Sequence, residues 1–346
     1  MPPVSLTAGV LATAAGGRVA AGNAAMPIGR VSIDTRTLAA GDFFVALRGE
    51  RFDGGSFVGD ALRKGAAGVL VTDASSAGSS GAAVVVEVAD TTKALQHVGR
   101  FVRRQSGTRV VAITGSAGKT TTKEISADLL SERYTVFRNK GNLNNHIGLP
   151  LSLLELRSGP DVAVVELGMN HPGEIRTLVG IAEPEVRVWT NVGDAHIGFF
   201  ASSEAIADAK AELLEDARAG DVLVANADDA RLMTRVGGFA GRIVTFGIDT
   251  DADVRARNVE LRGLEGTTAT VRTPAGELRL QSPLLGLGNL SNVLAGVAVA
   301  SSSRFPSRRS QTGWRRSSPP ISAASCCVCP GASRSSTIPT TRARRR

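Results

Sequence analysis

The chain has 346 residues, 42% of them apolar, which is enough for two or three domains with cores of their own. Its formal net charge of +8 points to an acidic partner, but ten of the 40 Lys and Arg residues lie in 301–346, a stretch with no Lys, Asp or Glu. Residues 1–300 hold 30 basic against 32 acidic residues. A nucleic-acid surface needs basic residues spread over one folded face, so nucleic-acid binding is excluded as the main function. There is no run of 18 uncharged apolar residues and no basic secretory start; the expectation is a cytoplasmic protein without membrane insertion.

In chain order, residues 26–105 alternate short Val/Ile/Phe runs (RVSID, DFFVAL, GVLVTD, AVVVEV) with the helical patterns SFVGDALRKGA and TTKALQHVGRFVRRQS. This predicts a small α/β domain over 1–107, with Ser106-Gly107-Thr108 as a hinge. From Arg109 the pattern becomes strand, turn, helix, repeated through VVAIT, VAVVELG, VRVWTNVG, DVLVANADD and RIVTFG. Such continuous apolar runs suit strands buried on both faces, as in a parallel sheet covered by helices. The polar residues where the runs stop, Thr114, Glu166, Asn191, Asn226 and Asp228, are expected at the crevice beyond the carboxyl ends of the strands. Residues 251–283 alternate with period two, which predicts a small antiparallel flap. The second domain is placed at 108–303.

After about Ser303 both signs of charge, helical spacing and Val/Leu/Ile runs vanish together. Residues 304–346 read as an aberrant, disordered tail, through out-of-frame translation of a GC-rich gene or, alternatively, as natural disorder. All three cysteines, Cys326, Cys327 and Cys329, fall there, without the second CxxC or nearby His that a metal site needs.

The chemistry concentrates at VAITGSAGKTTTKE, residues 111–124. An apolar strand runs into a turn bearing Gly115 and Gly118, then Lys119 and a hydroxyl triplet open a helix. Backbone amides of Thr114, Gly115, Ser116, Ala117, Gly118, Lys119, Thr120 and Thr121 then form a phosphate cradle at a helix N-terminus, with Lys119 as a point charge and Thr120 reaching for magnesium. The alternative is an ordinary helix-capping turn. Glu166 ends a buried strand, where a carboxylate needs a cation, either in a salt bridge or as magnesium. Lys210, in SSEAIADAKAELLEDA, shares a helix face with Ile206, Ala207, Leu213 and Leu214. Burial there favours the neutral amine, which can take up carbon dioxide as a metal-binding carbamate; a lysine snorkelling to the helix edge is the alternative. His196 stands past a strand end as a metal or phosphate contact or a loop-stabilising imidazole. Asn142, Asn144 and Asn145, in NKGNLNNHIGLP, are turn formers or polar contacts.

Together, SIDTRTLAAGDFFVALRGERFDGGSF (32–57), TGSAGKTTTKE (114–124), NLNNHIGLPLSLL (142–154), VELGMNHPGEI (165–175), NVGDAHIGFF and IADAKAEL resemble the Mur ligase family. Within it the best likeness is to the member that joins D-alanyl-D-alanine to UDP-N-acetylmuramoyl-tripeptide; VELGMNHPGEI separates it from the tripeptide-forming and folylpolyglutamate sisters. The resemblance implies an ATP-dependent amide-bond ligase of peptidoglycan synthesis, acting through an acyl phosphate, as a monomer. It implies a UDP-sugar-binding N-terminal domain, with contacts from Asp34, Thr35 and Arg36, and substrate contacts from Asn144 and Asn145. It also implies one magnesium on Thr120 and Glu166, and a second served by His196 and carbamylated Lys210, with Lys119, Glu166, His196 and Lys210 as the catalytic set. In GLGNLSNVLAG, Asn289 and Asn292 keep the family's nucleotide-side asparagines while Gly288 stands at its usual His. The family's third, Rossmann-like domain has no counterpart after Ser303, so the expectation is a chain truncated before it.

Overall fold

The computed structural model describes residues 4–49, 53–78, 81–193, 198 and 200–302. Residues 304–346, read from sequence as an unstructured tail, lie outside the described residues, as do the three cysteines.

Two sheets organise an α/β protein. The first has strands β1 (Arg18–Ala21), β2 (Val31–Ser32), β3 (Phe43–Val45), β4 (Gly68–Val71) and β5 (Val84–Glu87), in the order β1-β5-β4-β3-β2. Strands β2 to β5 are parallel, and β1 adds an antiparallel edge. Three helices go with it: α1 (Ala8–Ala14), α2 (Val58–Arg63) and α3 (Thr91–Ser106). The apolar runs found from sequence become β2 to β5. Strand β1, Arg-Val-Ala-Ala, and helix α1 had no apolar period strong enough to announce them; pairing with β5 makes the one, and a Thr7 hydroxyl accepting the Val10 amide starts the other.

The second sheet has nine strands in the order β14-β13-β12-β11-β10-β9-β6-β8-β7. Its members are β6 (Arg109–Thr114), β7 (Val136–Arg138), β8 (Val162–Glu166), β9 (Val186–Trp189), β10 (Val222–Asn226), β11 (Arg242–Gly247), β12 (Val254–Leu261), β13 (Thr267–Thr273) and β14 (Gly276–Ser282). From β7 to β12 all pairs are parallel. The antiparallel ribbon β12–β14 continues the sheet at its edge, so the flap read from period-two alternation is built onto the core.

Alternation along each buried run explains the layers. Val110 and Ala112 of β6, Ala163 and Val165 of β8, and Trp189 of β9 point to one side. There they meet α5 (Gly148–Leu154), α6 (Glu174–Ala182) and α7 (Ser203–Ala211). Val111, Ile113, Val162, Val164 and Val188 point to the other side, against α4 (Lys119–Ser131) and α9 (Leu287–Ser302). Both faces are covered, which is why these strands are apolar along most of their length. The short helix α8 (Ala230–Met233) completes the set. Among the described residues no helix is long and apolar enough to cross a membrane.

Helix α3 joins the two bodies. Its stripe Ala94, Leu95, Val98 and Val102 lies in the same apolar cluster as the first sheet's Phe43, Leu70 and Val86 and the second sheet's α5 and α6. The 106–108 junction, expected as a hinge, is packed: the buried Thr108 hydroxyl donates to the Pro160 carbonyl at 2.8 Å.

Candidate functional site

The strand order reverses around β6: the chain leaves it for β7 and β8 on one side, then returns past it to β9 on the other. Loops leaving the carboxyl ends of β6, β8 and β9 therefore open a crevice, the usual ligand position in such sheets. The phosphate-loop sequence occupies it, from Thr114 at the end of β6 to Lys119 at the start of α4.

Two glycines let the loop run tight. Gly118 caps α4 at φ 77°, and a Cβ there would lie 2.0 Å from the Asn292 Oδ1 of α9. At Gly115, φ 153°, a Cβ would lie 1.9 Å from the Thr190 hydroxyl at the end of β9. The loop is pinned from β9: the Ser116 amide donates to the Asn191 carbonyl (3.1 Å), the Ala117 amide to Asn191 Oδ1 (2.9 Å), and the Thr190 hydroxyl to the Ala117 carbonyl (2.8 Å). Asn226 of β10 holds Thr190 in turn, donating to its carbonyl at 2.9 Å. The first bond of α4 runs from Thr122 N–H to the Gly118 carbonyl, so by helix geometry the amides of Lys119, Thr120 and Thr121 are left for an anion.

Side chains converge on this cradle. Lys119 Nζ donates to the Gly115 carbonyl at 2.9 Å, and the Thr120 hydroxyl donates to Glu166 Oε2 at 2.8 Å. The other carboxylate oxygen, Oε1, accepts from Asn144 Nδ2 at 2.8 Å. Glu166 thus lacks the buried salt bridge that was its structural alternative; no ion pair to it occurs among the described residues. Lys210 is 1% exposed, which removes the snorkelling alternative. Burial first, and then repulsion from Lys119, push its amine down to about 7. Burial also lowers Lys119, against the pull of Glu166. Lys119, with the open amides of α4 beside it, is suited to an anionic ligand.

Thr120 and Glu166 supply a hydroxyl and a carboxylate, hard oxygens that magnesium accepts while keeping waters and phosphate oxygens for its other positions. Among the described residues no three His, Cys, Asp or Glu converge. The hydroxyl and carboxylate of Thr120 and Glu166, already 2.8 Å apart, fit that donor set. His196 lies outside the described residues.

The remaining expected residues divide. Asn292 Oδ1 accepts from the Thr122 hydroxyl at 3.3 Å, beneath the loop, and Asn292 Nδ2 reaches Asn289 Oδ1 at 3.4 Å. Asn145 faces away from Glu166: its Oδ1 accepts the Ile147 and Gly148 amides at the start of α5. Asp228 accepts the amides of Ile248, Asp249 and Thr250 and so shapes a turn. Asp34, Thr35 and Arg36 follow β2 in the first sheet; Arg36 holds the Asp34 carboxyl down to about 2, and the Thr35 carbonyl accepts from Lys64 Nζ. Three residues escaped the sequence reading. Asp229 Oδ2 accepts the Val192 amide at 2.6 Å and ties down the loop after β9. Asn139 is buried against Glu166, and Lys123 is buried against Asn139; a lysine one turn beyond Lys119, inside an apolar helix face, was the available signal.

Residues 113–300 match the Mur ligase middle domain and residues 27–105 the Mur ligase family catalytic domain. The chain is 40% identical over 277 residues to the UDP-N-acetylmuramoyl-tripeptide--D-alanyl-D-alanine ligase of Synechocystis, covering 79% of this chain and 58% of that one. The chain thus spans less than two thirds of that relative's length. A crystal structure of MurF from Acinetobacter baumannii superposes with a TM-score of 0.79 at 31% identity, covering 92% of this chain and 72% of that one. MurF from Thermotoga maritima in complex with ADP gives 0.70 at 31% identity, over 78% and 62%.

Proposed function

Because this chain belongs to the Mur ligase family, we propose that it serves the ATP-dependent ligation of D-alanyl-D-alanine to UDP-N-acetylmuramoyl-tripeptide, a cytoplasmic step of peptidoglycan synthesis. The observation that carries this reading is the meeting of Lys119, Thr120, Glu166 and Asn144 on a loop shaped for phosphate, with the depressed Lys210 amine beside Lys119.

A carboxylate is a poor electrophile. In this reading the terminal carboxylate oxygen of the tripeptide attacks the γ-phosphorus of ATP, the bond to the β-phosphate oxygen breaks, and ADP leaves. The amine of D-alanyl-D-alanine then attacks the acyl phosphate carbon, loses a proton, and inorganic phosphate departs. Lys119 and the open amides of α4 neutralise charge on the transferring group. Thr120 and Glu166 would hold one magnesium, which would supply charge neutralisation during phosphoryl transfer. His196 and Lys210 would serve a second, the Lys210 nitrogen bonding carbon dioxide and releasing one proton to become a carbamate. Asn289 and Asn292 serve the nucleotide side, and Asp34, Thr35, Arg36, Asn144 and Asn145 the sugar-peptide substrate. The division into a sugar-binding unit at 1–107 and an ATP-binding unit at 108–303 belongs to the same proposal, as does a monomeric state.

A second reading is binding of nucleotide and UDP-sugar without ligation, since the contacts gathered at the loop after β6 serve binding by itself equally well. One assay separates them: purified chain with ATP, magnesium, UDP-N-acetylmuramoyl-tripeptide and D-alanyl-D-alanine, followed by mass spectrometry. Pentapeptide product supports ligation. Magnesium-dependent nucleotide binding without product supports the second reading, and no nucleotide binding overturns both.

A further inference from the structure

Lys123 is among the largest fully buried side chains of the molecule, at 1% exposure. Its ammonium donates to the Asn139 carbonyl at 2.8 Å and lies 3.1 Å from Glu124 Oε1, a carboxylate shared with Arg138. Lysines are seldom buried this fully, and an apolar side chain at this place on α4 would fill the same core without desolvating a charge. What the ammonium holds is informative. Asn139 is equally buried, and its side chain works in two directions: Oδ1 accepts the Glu166 amide at 3.2 Å, and Nδ2 donates to the Leu143 carbonyl at 3.0 Å. Leu143 precedes Asn144, whose Nδ2 reaches the Glu166 carboxylate. Two routes from Asn139 therefore end on Glu166, one at its backbone and one at its carboxylate.

We propose that Lys123 and Asn139 are positioning residues for Glu166, the ammonium fixing the Asn139 backbone and the Asn139 side chain fixing the direction in which Glu166 presents its oxygens. The proposal rests on the reading of Thr120 and Glu166 as magnesium ligands. Magnesium demands near-octahedral geometry, and groups that orient a metal's ligands are typically worth about 10–100-fold in metal affinity.

The test uses the full chain and its Lys123→Met and Asn139→Ala variants, titrated calorimetrically with ADP in EDTA and then across a magnesium series. Circular dichroism melts check folding. The expected result is a rise of about 10–100-fold in the magnesium concentration for half-maximal tightening of ADP binding, with metal-free ADP affinity within about twofold of the parent. A folded variant with the parent's magnesium requirement overturns the positioning role. So does an equal loss of ADP affinity with and without magnesium, which would locate the damage in the phosphate loop, and so does failure of both variants to fold, which would mark the pair as structural. A parent chain whose ADP binding ignores magnesium sinks the magnesium reading itself, and the positioning role with it.

Discussion

Lys119 feels both burial and the pull of Glu166, while the buried Lys210 amine feels burial and the repulsion of Lys119. Lys119 is the cation within the loop itself, so Lys119→Ala should weaken ADP binding at least about tenfold, about 1.4 kcal/mol, as calorimetry will read. Unchanged affinity would remove it from the phosphate site. Lys210 makes a different prediction through its proton. The native Lys210 amine is held down at about 7 while the unfolded chain keeps the ordinary lysine value of 10.5, so between those pH values the unfolded state holds the extra proton. Stability contributed through Lys210 must then rise as pH climbs from about 7 towards 10.5, at roughly 1.4 kcal/mol for each tenfold of proton affinity lost. In buffer freed of carbon dioxide, Lys210→Met should be the more stable protein at pH 7 by a few kcal/mol, and the gap should close towards pH 10. Urea melts at the two pH values measure this; a variant less stable at pH 7, with an unaltered gap, would show that the lysine is charged and paired in the native state.

At the scale of elements, the loop between β6 and α4 is hydrogen-bonded to the segment after β9 and closely approached by Asn292 of α9. Gly118 combines a left-handed backbone with a contact that leaves no room for a methyl group beside Asn292. Gly118→Ala should cost about 1–3 kcal/mol, in the range seen for residues forced into that conformation. Removing the obstacle in Gly118→Ala/Asn292→Ala should return at least about 0.5 kcal/mol of the sum, the mark of two residues in contact. Additive losses in chemical melts would mean that backbone strain alone decides the site. The sequence marked both glycines and Asn292 as belonging to a nucleotide site, but α4 and α9 are far apart in the chain. Their meeting at Thr122 and Asn292, 170 positions apart, needed the one face of the sheet on which both helices pack.

For the whole molecule, the decisive element is α3, because it belongs to the cores of both sheets. Three of its arginines grip the C-terminus of α6. Arg103, nearly buried, donates to the Ala182 and Glu183 carbonyls (2.7 and 2.6 Å) and to Glu185 (2.7 Å), while Arg100 and Arg104 both bind the Glu183 carboxylate. Burial would raise the Glu183 acid, but the bonds from Arg104 and Arg100 hold it down to about 2. The two outer arginines are half exposed and screened by solvent, so Arg103 should dominate. Arg103→Met should cost about 2–4 kcal/mol, since it strands two carbonyls and a carboxylate. The continuous core also predicts that the parent melts in one cooperative transition, and that the variant separates it into two. Calorimetry showing two transitions in the parent would mean that the bodies fold independently despite α3.

Periodic burial is written locally, so the sequence by itself determined the α/β class, the parallel runs covered on both faces, the antiparallel ribbon, the phosphate loop and the buried face of Lys210. Each depends on spacing within one segment, and the hydrophobic effect acts on that spacing wherever the segment lies. Partners were another matter. Asn144 and Asn145 are neighbours in one motif, yet one reaches Glu166 and the other caps α5, because a turn sends adjacent side chains in opposite directions. Thr120 meets Glu166 across 46 positions, and Lys123 meets it only through Asn139. Those contacts follow from which strand lies beside which. Strand order is a property of the folded sheet, where Glu166 of β8 comes to pair beside Ile113 of β6, and only the tertiary structure decided it.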